Sequence, residues 1–133
     1  MIDHSLKKTV DHIDITKYDV TDLVHELRST SFTSREIYNA CQLYKQMLEE
    51  EELTVILTIA GSTQAAGCLK LYRDLVRFNM VDIIVATGAS IIDMDLFEGL
   101  GNKHYIGSNK ADDNILRENY IDRIYDTFIS EDD

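Results

Sequence analysis

Two short apolar runs joined by one amphipathic segment constrain this chain more than any other feature. The runs cover residues 53–59 and 81–85, and both are rich in β-branched residues. Nearly continuous apolar runs of this length are typical of strands buried on both faces of a parallel sheet. Between them, apolar side chains recur at helical spacing: Ala65, Leu69, Tyr72, Leu75 and Val76. The stretch 53–90 therefore predicts a βαβ unit within an α/β fold.

A turn of small residues follows each predicted strand. The first reads Ala-Gly-Ser-Thr at residues 60–63, and the second reads Thr-Gly-Ala-Ser at residues 87–90. Because the two strands run parallel, both turns should open at the same edge of the sheet, where ligands of open α/β sheets bind. Gly61 would let the backbone approach a phosphate or a ribose. Small residues in such turns can also serve close packing alone, so a packing role and a ligand role both remain open.

Composition and charge exclude several classes of function. With 133 residues the chain has room for one domain and one core. A net charge of −11 argues against binding to nucleic acid or to an anionic membrane surface. No apolar run approaches the ~20 residues that span a bilayer, and residues 1–4 lack the start of a secretion signal. Cys41 and Cys68 fall inside helical patterns and are predicted to be buried free thiols, which favours a reducing cytoplasm.

The rest of the chain predicts an arm and four helices. Residues 1–17 read as an extended arm or as a short strand with a loop. The helices are a short one over residues 20–27 capped by Asp19, a long one from a Thr33–Glu36 capping box to Leu48, one over residues 91–100, and a closing helix from Ile115 to Phe128. Residues 102–108 form a loop or a short strand. Two parallel strands leave edges that need cover, so the sequence looks like part of something larger, completed by more chain or by a partner.

The ionisable residues outside the turns give no catalytic or metal pattern. His104 has no Ser, Cys or carboxylate at a useful spacing, which favours a surface or packing role. His4, His12 and His25 are scattered and predict no metal site. Asp93 and Asp95, just beyond the second turn, could bind an amine or cap the helix that they begin. On residue patterns alone the chain is a ligand-binding α/β domain with no catalytic residue.

Several segments resemble the deoxyhypusine synthase family. The strongest are residues 75–89, which include Asn-Met-Val-Asp at the strand entry and the Thr-Gly-Ala turn, and residues 91–105. Supporting segments are residues 30–35, 116–119 and 121–124. The first turn and the Asp-x-Asp-Leu-Phe spacing look more like the bacterial branch than like the eukaryotic enzyme. Since the resemblance begins at about Tyr18, we expect an amino-terminal arm at residues 1–17 and a partial NAD-binding domain at residues 18–133.

The resemblance implies a fold, a cofactor and a reaction. The fold would be a Rossmann-like parallel sheet with flanking helices, incomplete relative to the full family fold, in a homotetramer with active sites at subunit interfaces. NAD would take a hydride from a polyamine such as spermidine, and an aminobutyl group would pass through an imine on a lysine to an acceptor amine. The residues that match the two NAD-binding turns are Gly61, Ser62 and Thr63, then Thr87, Gly88 and Ala89. Asp93 and Asp95 match the acidic residues that hold the polyamine ammonium groups.

Departures from the family pattern leave more than one function open. The eukaryotic first turn carries Thr-Ser-Asn where this chain has residues 60–62, and two adjacent glutamates give way to residues 92–95. Family members are more than twice this length, and the catalytic lysine lies in the half without a counterpart here. We therefore expect one part of an enzyme, inactive alone, in a homo-oligomer or a complex with a lysine-bearing chain. The alternatives are a non-catalytic regulatory or binding subunit of a full-length paralogue, and a stand-alone nucleotide-binding module. The acceptor, a translation-factor lysine or a small polyamine, stays undecided.

Overall fold

The computed structural model describes residues 6–12 and 14–131, and the side chains of residues 93–95 fall outside that description. The helices are α1 (Thr21–Leu27), α2 (Phe32–Glu49), α3 (Leu69–Arg77), α4 (Gly88–Ser90), α5 (Phe97–Gly99) and α6 (Asp113–Glu118). The strands are β1 (Ile56–Ile59), β2 (Ile83–Ala86), β3 (His104–Ile106), β4 (Ile121–Ile124) and β5 (Thr127–Ser130). A 3₁₀ turn spans Ile15–Lys17, and π-helical turns span Gln64–Cys68 and Ile91–Leu96. The α/β class is as predicted.

The predicted βαβ unit is present. Strands β1 and β2 pair in parallel, from Ile56 opposite Ile83 to Ile59 opposite Ala86, and α3 lies between them in the sequence. The Asp82 carboxylate accepts the Val55 N–H at 2.7 Å and so fixes the start of the sheet. The prediction that both faces are buried is wrong for this chain, because Ile56 and Val85 are each 55% exposed. Two strands form this sheet, and within the described residues α3 and its neighbours do not cover both faces.

The long helix α2 runs as predicted to Glu49, but its start differs. It begins at Phe32, and no side chain caps its first turn, so the predicted Thr33–Glu36 capping box is wrong. Instead the Arg35 guanidinium reaches back to the Thr30 carbonyl at 2.7 Å. Further along, the Tyr44 hydroxyl donates to the Met80 carbonyl at 2.5 Å and ties α2 to the entry of β2. Before α2, the predicted cap of the short helix is present, since the Asp19 carboxylate accepts the Thr21 N–H at 2.9 Å.

The closing helix predicted from Ile115 to Phe128 is wrong. Helix α6 ends at Glu118, and strands β4 and β5 follow as a hairpin that pairs with β3 in the order β3-β5-β4. Tyr120 and Tyr125, at the two ends of β4, have φ near +55°, which ends helical geometry at both points. Ile121, Leu116 and Phe128 form the buried core of this sheet. Only part of the apolar pattern that resembled a helix therefore lines this core, because Ile115, Tyr120 and Tyr125 are exposed.

The second predicted helix is present with a different internal geometry. Helical backbone extends from Gly88 to Gly99, and its middle is the π-helical turn Ile91–Leu96. Gly101 follows the end with φ of 105°, the left-handed conformation that glycine adopts beyond a helix C-terminus. The segment 102–108, predicted as a loop or a short strand, contains β3.

The arm packs along the body of the molecule. Val10 N–H donates to the His104 carbonyl at 2.8 Å, and Ile106 N–H donates to the Lys8 carbonyl at 2.6 Å, so residues 8–10 extend the antiparallel sheet beside β3. Gly67 lies directly under the arm, because a Cβ there would be 3.1 Å from the Asp11 carbonyl oxygen. With φ of 99° as well, this position requires glycine.

Two further sequence predictions concern cysteines and membranes. Both cysteines are free, as predicted, but Cys41 is exposed and Cys68 is partly exposed, so their predicted burial is wrong. Cys41 lies on α2, and no residue of that helix is buried. Within the described residues, no helix is long and apolar enough to cross a membrane.

Candidate functional site

The two small-residue turns meet at the carboxyl edge of the parallel sheet. The Ser90 hydroxyl is fully buried and donates to the Gly61 carbonyl at 2.9 Å. The Thr87 hydroxyl lies 3.3 Å from Ser90 Oγ, so it belongs to the same link. The sequence predicted that the turns share an edge, and the structure brings them together through this bond. Ser90 itself was not among the predicted site residues.

The first turn leaves its backbone accessible. Gly61 has φ of 77°, and nothing lies within 4 Å of where its Cβ would be. Thr63 is exposed and Ser62 is half-buried. The Thr63 hydroxyl lies 2.9 Å from the Tyr72 hydroxyl and 3.3 Å from Gln64 Oε1. The turn thus combines open space above Gly61 with a small cluster of hydroxyl groups.

The second turn is similarly open. Thr87, Gly88 and Ala89 are all exposed, and nothing lies within 4 Å of a Cβ placed on Gly88. Asp93 and Asp95 lie on the helical backbone that follows, but their side chains fall outside the described part of the chain. Their polyamine and capping roles both stay predictions.

A cavity of about 220 Å³ adjoins the first turn. One wall comes from the turn and the helix after it: Ser62, Thr63, Ala65 and Ala66. The other wall is the tip of the β4–β5 hairpin: Ile124, Tyr125, Asp126 and Thr127. Sequence reasoning missed this wall because it assigned these residues to a helix, which would not bring them to the sheet edge.

Two buried polar side chains between the first turn and the end of α3 have unpaired atoms. Gln64 is 1% exposed, and its Nε2 has no hydrogen-bond partner among the described residues. Asp74 is equally buried; its Oδ1 accepts from Arg73 at 2.6 Å, whereas Oδ2 has no partner among those residues. Buried polar atoms usually find partners in complete proteins. Both atoms are exceptions to that rule within the part of the chain that the structure describes.

Three ionisable side chains, joined by hydrogen bonds, hold the arm against the helical segment that follows the second turn. Glu98 bridges His12 Nε2 at 2.6 Å and His104 Nδ1 at 2.7 Å. The expectation that His104 lacks a carboxylate at a useful spacing is wrong, since Glu98 lies six residues earlier. His104 is buried at 1% exposure, and its ring packs edge-on against Phe97. One carboxylate thus joins the arm, the helical segment after the second turn and β3.

Two ion pairs shape the local electrostatics. Asp14 on the arm pairs with Lys70 on α3, and the hydrogen bonds from Lys70 and Thr16 hold the pKa of the Asp14 carboxyl far below its usual range. The Arg123 guanidinium binds Asp113 through two hydrogen bonds of 2.7 and 3.0 Å, which lower the pKa of Asp113. Within the described residues, no three His, Cys, Asp or Glu side chains are placed to hold a metal ion.

Comparison with known proteins identifies the relatives of this chain. A family model described as deoxyhypusine synthase matches residues 22–133. A deoxyhypusine synthase-like protein of Coxiella burnetii is 56% identical over 128 residues, which are 96% of this chain and 36% of the relative. A deoxyhypusine synthase-like protein of Caulobacter vibrioides is 49% identical over 128 residues, which are 96% of this chain and 35% of that protein. A probable deoxyhypusine synthase 2 of Methanosarcina mazei is 36% identical over 121 residues, which are 91% of this chain and 35% of that protein. The chain thus spans about a third of the length of the curated relatives it matches.

Proposed function

Because this chain belongs to the deoxyhypusine synthase family, we propose that it supplies the amino-terminal part of an NAD-dependent aminobutyltransferase. The enzyme would move an aminobutyl group from a polyamine of the spermidine type to an acceptor amine, either a protein lysine or another polyamine. This part would contribute one side of the NAD site and some of the polyamine site within a Rossmann-like sheet.

The observation that carries this proposal is the bond between the two turns. Ser90 Oγ donates to the Gly61 carbonyl at 2.9 Å and so holds both turns together at one edge of the sheet. Ligands of open α/β sheets bind at this edge. The backbone at Gly61 and Gly88 is open to the approach of a ligand, since neither glycine has an atom within 4 Å of where a Cβ would be.

In this proposal the chain's own residues bind and orient the reactants. The groups that would hold NAD are Gly61, Ser62 and Thr63 in the first turn and Thr87, Gly88 and Ala89 in the second. NAD, when bound, supplies the acceptor for a hydride from the polyamine. Asp93 and Asp95, on the helix after the second turn, would pair with the ammonium groups of the polyamine, since carboxylates bind such groups through charge-assisted hydrogen bonds.

Further chain would complete the enzyme. The apolar residues of the parallel sheet that lie in solvent, among them Ile83 and Val85 at 45% and 55% exposure, would pack against the carboxy-terminal part that the relatives possess. That part would also bring the catalytic lysine, either in the same polypeptide or in a partner, and the assembly would be a homo-oligomer. Free Cys41 and Cys68 suit a cytoplasmic setting.

The test is reconstitution. The chain would be co-purified with its carboxy-terminal part, either its own or the corresponding part of the Coxiella relative. We expect NADH to form in the presence of spermidine only when both parts are present. A folded complex that binds neither NAD nor spermidine would overturn the proposal. If instead a full-length paralogue is active alone and this chain only changes its rate, the regulatory-subunit function replaces it.

A pair of glycine variants tests the second turn within that complex. Gly88→Val places a branched side chain in the turn, and we expect NAD affinity to fall about tenfold or more. Gly99→Val is the matched control, because Gly99 lies on the same helical segment and also has nothing within 4 Å of its Cβ position. Isothermal titration with NAD measures both. Equal losses in the two variants would argue against NAD at this turn.

A further inference from the structure

The cavity beside the first turn has no assigned occupant. It measures about 220 Å³ and lies between the first turn and the tip of the β4–β5 hairpin. Because pockets for whole drug-sized ligands usually measure about 300–1,000 Å³, this volume suits one part of a dinucleotide. The position also agrees with the rule that ligands bind beyond the carboxyl ends of parallel strands, since the first turn follows β1.

The hairpin tip that forms one wall does not have the residues that two-residue turns usually prefer. Tyr125 and Asp126 form a two-residue loop between the paired residues Ile124 and Thr127. Tyr125 has φ of 55° and is 81% exposed. Such loops favour glycine or asparagine at left-handed positions, so a tyrosine there costs conformational energy. Among the non-glycine residues with positive φ in the described part of the chain, Tyr125 is the one that lines this cavity.

The backbone of the tip is nevertheless held firmly. Arg123 Nη1 donates to the Tyr125 carbonyl at 2.8 Å, and Gly107 N–H donates to the Asp126 carbonyl at 2.7 Å. Arg123 is itself held by two hydrogen bonds to Asp113. The loop therefore presents its phenol ring and its carboxylate from a fixed backbone, which lowers the entropic cost of binding a ligand.

The chemistry of the walls matches a nucleoside. Tyr125 offers an aromatic face for a base, and Asp126 offers a carboxylate that can accept hydrogen bonds from the two ribose hydroxyls. Ser62 and Thr63 add hydroxyl groups on the opposite wall, and Ala65 leaves room beside them. We propose that this cavity holds one nucleoside of the dinucleotide, with its base on Tyr125 and its ribose on Asp126. The inference rests on the proposed function of the two turns as an NAD site.

Variants at Tyr125 separate binding from folding. Tyr125→Gly relieves the left-handed backbone but removes the ring, so we expect unchanged or higher thermal stability together with an NAD affinity about tenfold lower. A purely structural role for Tyr125 would instead move stability and affinity in the same direction. Tyr125→Phe keeps the aromatic face and should bind NAD as the parent does. The measurement is titration of the reconstituted complex with NAD, beside thermal unfolding of each variant.

Matched controls lie at the other end of β4. Tyr120 is also exposed, at 58%, and also has φ of 56°, but it does not line the cavity. Tyr120→Gly should therefore leave NAD affinity unchanged. Asp126→Asn should lower affinity about tenfold, because a neutral amide is a weaker acceptor for the ribose hydroxyls. Asp122→Asn, on the same hairpin, should not change it.

Titration with adenosine monophosphate and with nicotinamide mononucleotide, each used alone, identifies which nucleoside occupies the cavity. The one whose affinity falls in Tyr125→Gly and Asp126→Asn is the occupant. Normal NAD binding in both variants would overturn this inference and leave the proposed NAD site intact. Absence of NAD binding in the parent complex would overturn the proposed function as well.

Discussion

The antiparallel sheet near the carboxyl end buries its own core, whereas the parallel sheet leaves most of its apolar residues in solvent. In the first region, Ile121 and Phe128 are each 4% exposed and pack with Leu116. In the second, every residue of β2 is at least partly exposed. The strands of the antiparallel sheet follow one another closely in sequence, and their core also draws on α6 and on Leu6 of the arm. Parallel sheets need cover on both faces, and the described residues do not provide it.

The arm joins these two regions. Residues 8–10 hydrogen-bond to β3 of the antiparallel sheet, and Asp14 pairs with Lys70 on the helix of the βαβ unit. Between these contacts His12 reaches Glu98. The comparison therefore teaches that one region buries an apolar core, whereas the other exposes most of its apolar residues and is tied to the arm by an ion pair. Three predictions test that difference.

The largest effect is expected from a matched pair of phenylalanines. Phe128→Ala removes a ring that is 4% exposed in the antiparallel core, so we expect a loss of about 3–5 kcal/mol in the free energy of unfolding. Phe78→Ala, at a position 54% exposed at the end of the βαβ helix, should cost less than about 1 kcal/mol. Urea unfolding measures both. Equal losses would mean that the two regions are packed equally well.

An intermediate effect is expected from acid at the arm. The pKa of Asp14 is lowered mainly by its hydrogen bond from Lys70, so the ion pair stabilises the arm at all pH values above the ordinary carboxyl pKa of 3.8. That stabilisation is lost as the pH falls through the lowered pKa. We expect the protection of the arm amides against hydrogen exchange, taken relative to the intrinsic exchange rate at each pH, to fall in acid, while the core of the antiparallel sheet stays protected.

In Asp14→Asn, the arm amides should be less protected against hydrogen exchange than in the parent protein already at neutral pH. Asp11→Asn is the control, because Asp11 is exposed and makes no ion pair with Lys70. Exchange that is unaffected by Asp14→Asn would mean that the contacts with β3 hold the arm alone.

The smallest effect on stability is expected in the parallel sheet. Val85→Thr keeps the shape of a side chain that is 55% exposed, so the free energy of unfolding should change by less than about 0.5 kcal/mol. The same change should weaken association with the carboxy-terminal part by about tenfold, since it places a hydroxyl in the proposed interface. Ile106→Thr, on β3, serves as the control. Unchanged association of Val85→Thr, measured by analytical ultracentrifugation, would exclude this face from the interface.

The sequence predicted the βαβ unit because its pattern is local and strong. The runs at residues 53–59 and 81–85 have the length and β-branched content of strands, and the helix between them has one clear apolar face. The two turns could be placed together for the same reason, since parallel strands end at one edge. The link itself, from Ser90 to Gly61, depends on the side-chain rotamer of a residue in a turn and could not be predicted.

The carboxy-terminal sheet was not predicted, because the spacing of its apolar residues agrees with one long helix as well as with a helix and two strands. Leu116, Ile121, Ile124 and Phe128 fit a helical stripe as well as they fit a helix followed by a hairpin. The left-handed Tyr120 and Tyr125 decide between these arrangements, and tyrosine gives no warning of that conformation. The bridge from His12 through Glu98 to His104 was missed because its outer members lie far apart in sequence and meet only through tertiary packing.

The contact between the arm and β3 has a consequence for how the protein is made. Lys8 bonds to Ile106, so the arm is synthesised roughly a hundred residues before the strand that receives it. At ribosomal rates of about 5–20 residues per second, the arm waits on the order of 5–20 s without that partner. The antiparallel core also emerges late, after both parallel strands. The apolar strands β1 and β2 therefore leave the ribosome before the antiparallel core can form, and molecular chaperones that shield such segments should bind the growing chain.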